Sequence, residues 1–447
     1  VSDTLQTVTK RSAFRWLLAK EYRELVASRA WWVFLLAMGP LVGVTFISAV
    51  RTYGEASGLN GTTAGVGEAF SPLIGIWAPT FSACEVAAVF LLPFVAIRLV
   101  SGDRQSGALK IEMQHPMPTI GRVAAKAIVL LGGWFVASLA PLAAVALWKG
   151  YGGSIYAPEL ATVAFGHVLN AGLTIALAFA AAALTEHPST AAILTLSVTV
   201  GTWILNFIAA VQGGIWERIA SYSPPAMVAE FQHGLIRLDA VFIAITLVAV
   251  GFGIAALWLR TGMPVRRRVQ ESIALAAFGV LALASGSVAG KSWDLSENRM
   301  NSFSEADEAV LRRIQDPLRI DVHLAPEDPR RADLDRKAIA KLQRVMRSVR
   351  VQYESATSIG LFEQTAPHYG EIWYELGGKK QMSRATTAES ALETIYDLAG
   401  IKPPVESDDI FRGHPLAVAP RGAAAVFYGV WPALVVVGAF LIRRKHT

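Results

Sequence analysis

Apolar stretches of about membrane-crossing length punctuate the chain. They lie near Trp31–Val50, Ala83–Val100, Ala127–Trp148, Leu160–Leu184, Thr190–Val211, Ala240–Leu259, Ser272–Ala289 and Ala423–Ile442. A helix of about 20 apolar residues spans roughly 30 Å of hydrocarbon, so the pattern predicts eight crossings. Pro40, Pro93, Pro141 and Pro432 fall inside runs, where neighbouring helices can satisfy the freed carbonyls. Ahead of the first run, Ser12–Ala30 places Phe14, Leu17, Leu18, Tyr22, Leu25 and Val26 on one stripe, with its charges mostly elsewhere. That pattern predicts an amphipathic helix in the membrane interface, spanning residues 1–30 with its approach.

The one long polar stretch, Lys291–Arg421, has a different rhythm. Ser304 and Asp307 read as the cap and first turn of a helix reaching Ile314. Leu318–Leu324, Val349–Tyr353 and Glu371–Leu376 read as strands, Asp333–Val349 and Ala388–Ala399 as helices. The expectation is a small α/β domain with a mixed sheet over 290–421, between the seventh crossing (272–289) and the eighth (423–442). Arg51–Ser82, rich in Gly and Thr, is expected to form an external loop with a short helix around Pro72–Phe81, and Gln212–Asp239 a second external segment.

Composition agrees: 53% of the 447 residues are hydrophobic and 17% charged, against about 25% charged in soluble domains. The net charge of +6 matters by its placement. Basic residues precede the first run, lie between the second and third (Arg104, Lys110, Arg122, Lys126) and the sixth and seventh (Arg260, Arg266, Arg267, Arg268), and follow the eighth (Arg443, Arg444, Lys445). With eight crossings all fall on one side, which predicts cytoplasmic termini and an extracytoplasmic α/β domain. One cysteine, Cys84, allows neither an intrachain disulfide nor a cysteine metal cluster. The start of the chain has a basic amphipathic character and no cleavable-leader pattern.

The segment Leu91–Lys126 leaves an apolar helix, becomes a charged loop with Asp103, Arg104, Lys110 and Glu112, breaks at Pro116 and Pro118, and re-enters an apolar run. Its amphipathic piece Gln105–Gln114 could dock on a partner protein; an ordinary cytoplasmic loop is the plainer reading. Through Arg98, Asp103, Arg104, Gly107, Pro116 and Lys126 the segment resembles the coupling-helix loop of type-2 ABC exporter permeases, and more closely the gliding-motility ABC permease. The match departs at Asp103, Ala108 and Met117–Pro118. Ser223, Pro224, Phe231, Gly234 and Asp239 resemble the stretch before the last core helix of that permease, which implies a re-entrant hairpin. Asp294, Leu295, Ser296, Ser302, Phe303 and Ser304 resemble the opening of the same system's auxiliary subunit. The resemblance implies a six-helix permease (31–260) fused to a shortened auxiliary domain in a bacterial inner membrane. It implies a separate ABC ATPase carrying ATP and Mg, docked at Arg98, Asp103, Arg104, Gly107, Lys110, Glu112, Pro116 and Lys126. It further implies a second permease subunit (a homodimer or a related chain), contact with lipid, and an envelope protein at the outer domain.

Catalytic and cofactor chemistry is not legible. There is no G-x-x-x-x-G-K-[ST] loop, and Gly377-Gly378-Lys379-Lys380 reads as a strand turn. The histidines show no metal-ligand spacing; His323, His368 and His414 are far apart in sequence. No nucleophile elbow accompanies Ser302, Ser304 or Ser390, and Asp294, Glu305, Asp307 and Glu308 read as a solvated, capping acidic patch. No nucleic-acid partner is expected. Inside the runs, His167, Asn170 and Thr174, then Thr195, Thr199, Thr202 and Asn206, recur at helical spacing. Such groups face protein or a watery cavity, as interhelical bonds or as a substrate path. The expectation is therefore a transport subunit rather than an enzyme, with a membrane-anchored scaffold as the alternative.

Overall fold

A computed structural model describes residues 2–59, 71–108, 112, 117–286, 290–353, 368–404 and 411–446. A helix, α1 (Ser2–Ala27), precedes helices α2 (Arg29–Ala56), α3 (Leu73–Ser106), α4 (Thr119–Gly150), α5 (Ala157–Leu184) and α6 (Pro188–Gln212). Two short helices follow, α7 (Ile215–Ala220) and α8 (Pro224–Gln232), then strand β1 (Leu235–Arg237). Next come α9 (Leu238–Leu259) and α10 (Val265–Gly286), and α14 (Ala423–Arg444) closes the chain. Eight of these helices, α2 to α6, α9, α10 and α14, are long and apolar enough to cross a membrane.

Seven of the expected runs lie inside their helices, and the helix of the seventh run starts earlier, at Val265. Two expectations are corrected. The short helix foreseen near Pro72–Phe81 is the start of α3 itself, because Leu73, Ile76 and Trp77 are fully buried there. The charged loop does not begin before Asp103; α3 continues through Asp103 and Arg104 to Ser106. Gly107 ends it in the left-handed conformation (φ 74°), which costs glycine least. The regular helix breaks at Leu91 and at Ser138, two and three residues before Pro93 and Pro141, whose rings bring no N–H to the ladder. The segment Gln212–Asp239 is a pair of short helices and a strand.

Helix α5 is the axis of the bundle: 78% of its most apolar window is buried, against 11% for α6, α10 and α14. Its alanine-rich sequence lets α3, α6, α8 and α9 pack closely on it. Large rings fill the neighbouring space, with Tyr53 and Trp77 edge-on to Trp148 at 5.3 and 6.3 Å. Helix α14 docks on α2 where glycine leaves room, since a Cβ at Gly39 would lie 2.2 Å from the Trp431 ring.

The remaining elements form the small α/β unit. After β2 (Ser292–Asp294) come α11 (Glu305–Leu311), β3 (Leu318–Val322), the helical run α12 (329–345), β4 (Val349–Tyr353), β5 (Ile372–Leu376), β6 (Lys379–Ser383) and α13 (Ala388–Ala399). The sheet order is β4-β3-β5-β6, with β3 and β4 parallel and the other pairs antiparallel. This is the mixed sheet expected, with the Gly377-Gly378 turn now joining β5 to a strand, β6, that was not foreseen. Alternate residues Leu318, Ile320, Val322, Ile372, Tyr374 and Leu376 bury one sheet face against α11, α12 and α13. Each fully buried apolar side chain contributes roughly 1.5–3 kcal/mol. Ser304 caps α11 by accepting from Asp307 N–H at 3.1 Å, as its position predicts.

The α/β unit is bound to the bundle by a second, two-stranded sheet: β1 pairs antiparallel with β2, Ile236 opposite Trp293. Around it, Leu295 N–H donates to Gly234 carbonyl (2.8 Å), Asn301 Nδ2 to His233 carbonyl (2.7 Å), and Arg331 pairs with Glu217 (2.7 Å).

Candidate functional site

Two groups of sequence-selected residues converge, at different places. The first lies where α1 crosses the C-terminal end of α3 and the start of α4. Lys126 Nζ donates to both Glu21 carboxylate oxygens (2.8 and 2.7 Å) and to Asp103. Lys20 Nζ reaches Asp103 (2.7 Å), Glu24 (2.9 Å), Glu21 (3.2 Å) and Glu112. Arg122 donates to the Glu112 carbonyl at 3.0 Å. Glu21, Asp103 and Lys126 are all buried, so the network replaces water for charges that must otherwise remain hydrated. Burial raises the Glu21 pKa, against the pull of Lys126. At Lys20 burial opposes the charge, but the hydrogen bonds it donates to Asp103 and Glu112 outweigh that and raise the pKa. Glu21, Asp103 and Glu112 present oxygens close together, but the two ammonium groups already occupy that space.

The resemblance-derived docking residues are thus dispersed in role. Asp103, expected in the loop, is a buried residue of α3, and Lys126 is a buried residue near the start of α4, where it was expected. Arg104 donates to the carbonyls of Ala182, Ala183 (both 3.1 Å) and Thr185 (2.9 Å), capping the C-terminal end of α5, where a cation offsets the helix dipole. Arg98 is exposed and edges a groove with Glu24, Ser28 and Pro188. Lys110 and Pro116 lie outside the described residues.

The second group lines a cavity of about 430 Å³ between α3, α5, α6, α9 and the turn before α8. Asn170 and Thr174 of α5 and Thr199 and Thr202 of α6 line it together with Ser223, and Leu173, Leu177, Leu247 and Val250 are among its apolar residues. Four of the six residues proposed for a substrate path therefore share one space. The other two stand beside it. Asn206 Nδ2 donates to Thr202 carbonyl and Ser223 Oγ, both at 2.7 Å. His167 is buried against Phe81 (ring centroids 5.7 Å), its Nε2 3.4 Å from Gln232 Nε2. Thr199 and Thr202 hydroxyls bond back to their own helix, at 3.3 and 2.7 Å.

Two acidic residues were missed. Glu85 of α3 lies in the cavity wall, which Trp203 also lines. An ionisable residue within an apolar run is itself a functional signal, and Glu85 could have been found that way. Glu159, buried in the first turn of α5, accepts Glu297 N–H at 2.7 Å, and Glu297 pairs with His414 at 2.9 Å.

The auxiliary-like motif is a joint. Asp294 is not a solvated patch residue: it accepts from Ser296 N–H (3.1 Å) and Oγ (2.5 Å), and from Asn301 N–H (2.9 Å) and Nδ2 (3.1 Å). Ser302 carbonyl accepts from Lys341 (3.1 Å), and Phe303 is buried in the sheet core under the same ammonium (5.5 Å). His323 and His368, distant in sequence, stand 6.2 Å apart, while His414 is engaged with Glu297.

No family model, no curated protein and no solved structure matches the chain.

Proposed function

We propose that the chain is the membrane-embedded subunit of an ABC transporter of the type-2 exporter class, driven by a separate ATPase chain. The carrying observation is the charged network at the α1–α3–α4 crossing. It fastens α1 to the ends of two bundle helices, so force applied to the segment after Gly107 moves them together. That segment lies in the stretch whose sequence resembles an ATPase-coupling loop. Basic residues near the same end of the bundle support a cytoplasmic side for it by the positive-inside rule, with the α/β unit then outside. The cavity behind it, walled mainly by apolar residues with a few hydroxyls and an amide, suits a small amphipathic cargo. ATP and Mg would reside on the partner, and two copies, or this chain and a related one, would complete the transporter.

A second reading is a membrane-anchored scaffold that binds an envelope protein. It is favoured by the sheet face opposite the core, where Arg319, Asp321, Gln352 and Lys380 form a polar cluster outside the packed layer. Affinity purification from gently solubilised native membranes separates the readings. The transporter reading expects a companion with Walker motifs in near-stoichiometric yield; recovery of envelope proteins without an ATPase would favour the scaffold.

A further inference from the structure

We infer that the cavity between α3, α5, α6 and α9 binds a lipophilic monovalent cation. This deepens the transport reading by naming its cargo class. It starts from the charge inventory of the wall: among the described residues that line it, Glu85 is the one carboxyl group, and there is no lysine, arginine or histidine. A carboxyl without a basic neighbour in an apolar wall is costly to ionise, unless the occupant brings the compensating charge. The geometry supplies the remaining recognition elements. Trp203 shares the wall with Glu85 and packs edge-on to Phe90, with ring centroids 5.7 Å apart. Tyr222 adds a second aromatic ring to the wall, and an aromatic face beside a carboxylate is the usual environment for a desolvated cation.

Size and access agree. At about 430 Å³ the cavity falls in the range that encloses small organic ligands. Leu173, Leu177, Leu247, Val250 and Ile254 offer contact to hydrocarbon or aryl groups. Val198, Ile219 and Tyr222, all exposed, form part of the rim, which opens on the flank of the bundle where α6 is least covered. A membrane-dissolved amphiphile can reach it there without crossing the charged ends. Asn170, Thr174, Thr199 and Thr202 supply polar contacts deeper in the wall, although the two threonine hydroxyls of α6 are partly spent on their own helix.

The test uses the full chain purified into neutral phosphatidylcholine nanodiscs, with tetraphenylphosphonium and tetraphenylborate as probes of matched shape and opposite charge. Equilibrium dialysis corrected for empty nanodiscs should show one saturable phosphonium site per chain, with at least tenfold preference over the borate. Glu85→Gln removes the charge at nearly the same shape and should weaken phosphonium binding at least tenfold while leaving elution volume and melting temperature unchanged. Comparable binding of both probes, or phosphonium affinity unchanged in Glu85→Gln, would overturn the proposal. The charge comparison on the unaltered protein stands even where a variant fails to fold. Because no ATPase enters the measurement, binding tests the cargo class apart from the transport reading, which the companion purification tests.

Discussion

Lys126→Met is expected to destabilise the protein by about 3–5 kcal/mol, the range found when one partner of a buried ion pair is removed. The methionine keeps the apolar stem but removes the ammonium that meets both Glu21 and Asp103. Four carboxylates, Glu21, Glu24, Asp103 and Glu112, then face Lys20 as their one shared ammonium. Glu21, at 0% exposure, is worst placed, because its Lys20 contact is the longer one at 3.2 Å. The pH dependence has a definite sign. Burial raises the folded-state pKa of Glu21, against the pull of Lys126, so the charged carboxylate is harder to keep in the folded protein than in the unfolded chain. The deficit of the variant is therefore largest at neutral and alkaline pH and shrinks as pH falls through that raised value. Adding Glu21→Gln should recover a substantial part of the loss at pH 7. Melting followed by tryptophan fluorescence in detergent measures both; a single variant as stable as the parent would mean that the network is hydrated.

Asp294→Ala is expected to cost about 2–4 kcal/mol, from leaving several donors without an acceptor. Its carboxylate gathers the Ser296 and Asn301 donors within one turn, and Asn301 in turn reaches His233 in the bundle. Removing it loosens the turn that keeps β2 paired with β1. Loss should therefore be local: limited proteolysis is expected to cleave between β2 and α11 while the bundle helices remain protected. Asp294→Asn, which retains one acceptor oxygen, should fall between. Uniform proteolysis across the chain would argue that the turn and the bundle unfold as one unit.

The helices were legible because their signal is local and long. An apolar run of twenty residues announces itself, and so does a serine three residues before an aspartate at a helix start, as at Ser304. Strand β4 and helix α13 were placed to the residue for the same reason: alternation at Val349–Tyr353 and an amphipathic stripe at Ala388–Ala399 are unambiguous. Strand β6 was hidden because Lys379–Ser383 carries little apolar character and is held by pairing with β5 rather than by burial. The roles of charged residues were the least legible. Asp103 and Arg104 are neighbours in sequence, yet one is buried against Lys126 and the other caps α5. Those fates depend on partners 23 and 81 residues away, which composition and spacing do not encode. The cavity residues show the intermediate case. Helical spacing grouped Asn170 with Thr174 and Thr199 with Thr202, but only the packing of α5 on α6 brings the pairs to a common space with Glu85.

The central claim is that the end of α3 faces the cytoplasm and meets an ATPase there. Ser106, exposed at that end, can be replaced by cysteine in a Cys84→Ala background and loaded with a photoactivatable maleimide. The account predicts that Ser106→Cys resists an impermeant maleimide in intact cells, reacts in inside-out vesicles, and on illumination crosslinks to a protein with Walker motifs. Labelling from outside intact cells, or crosslinks that never include a nucleotide-binding protein, would contradict it.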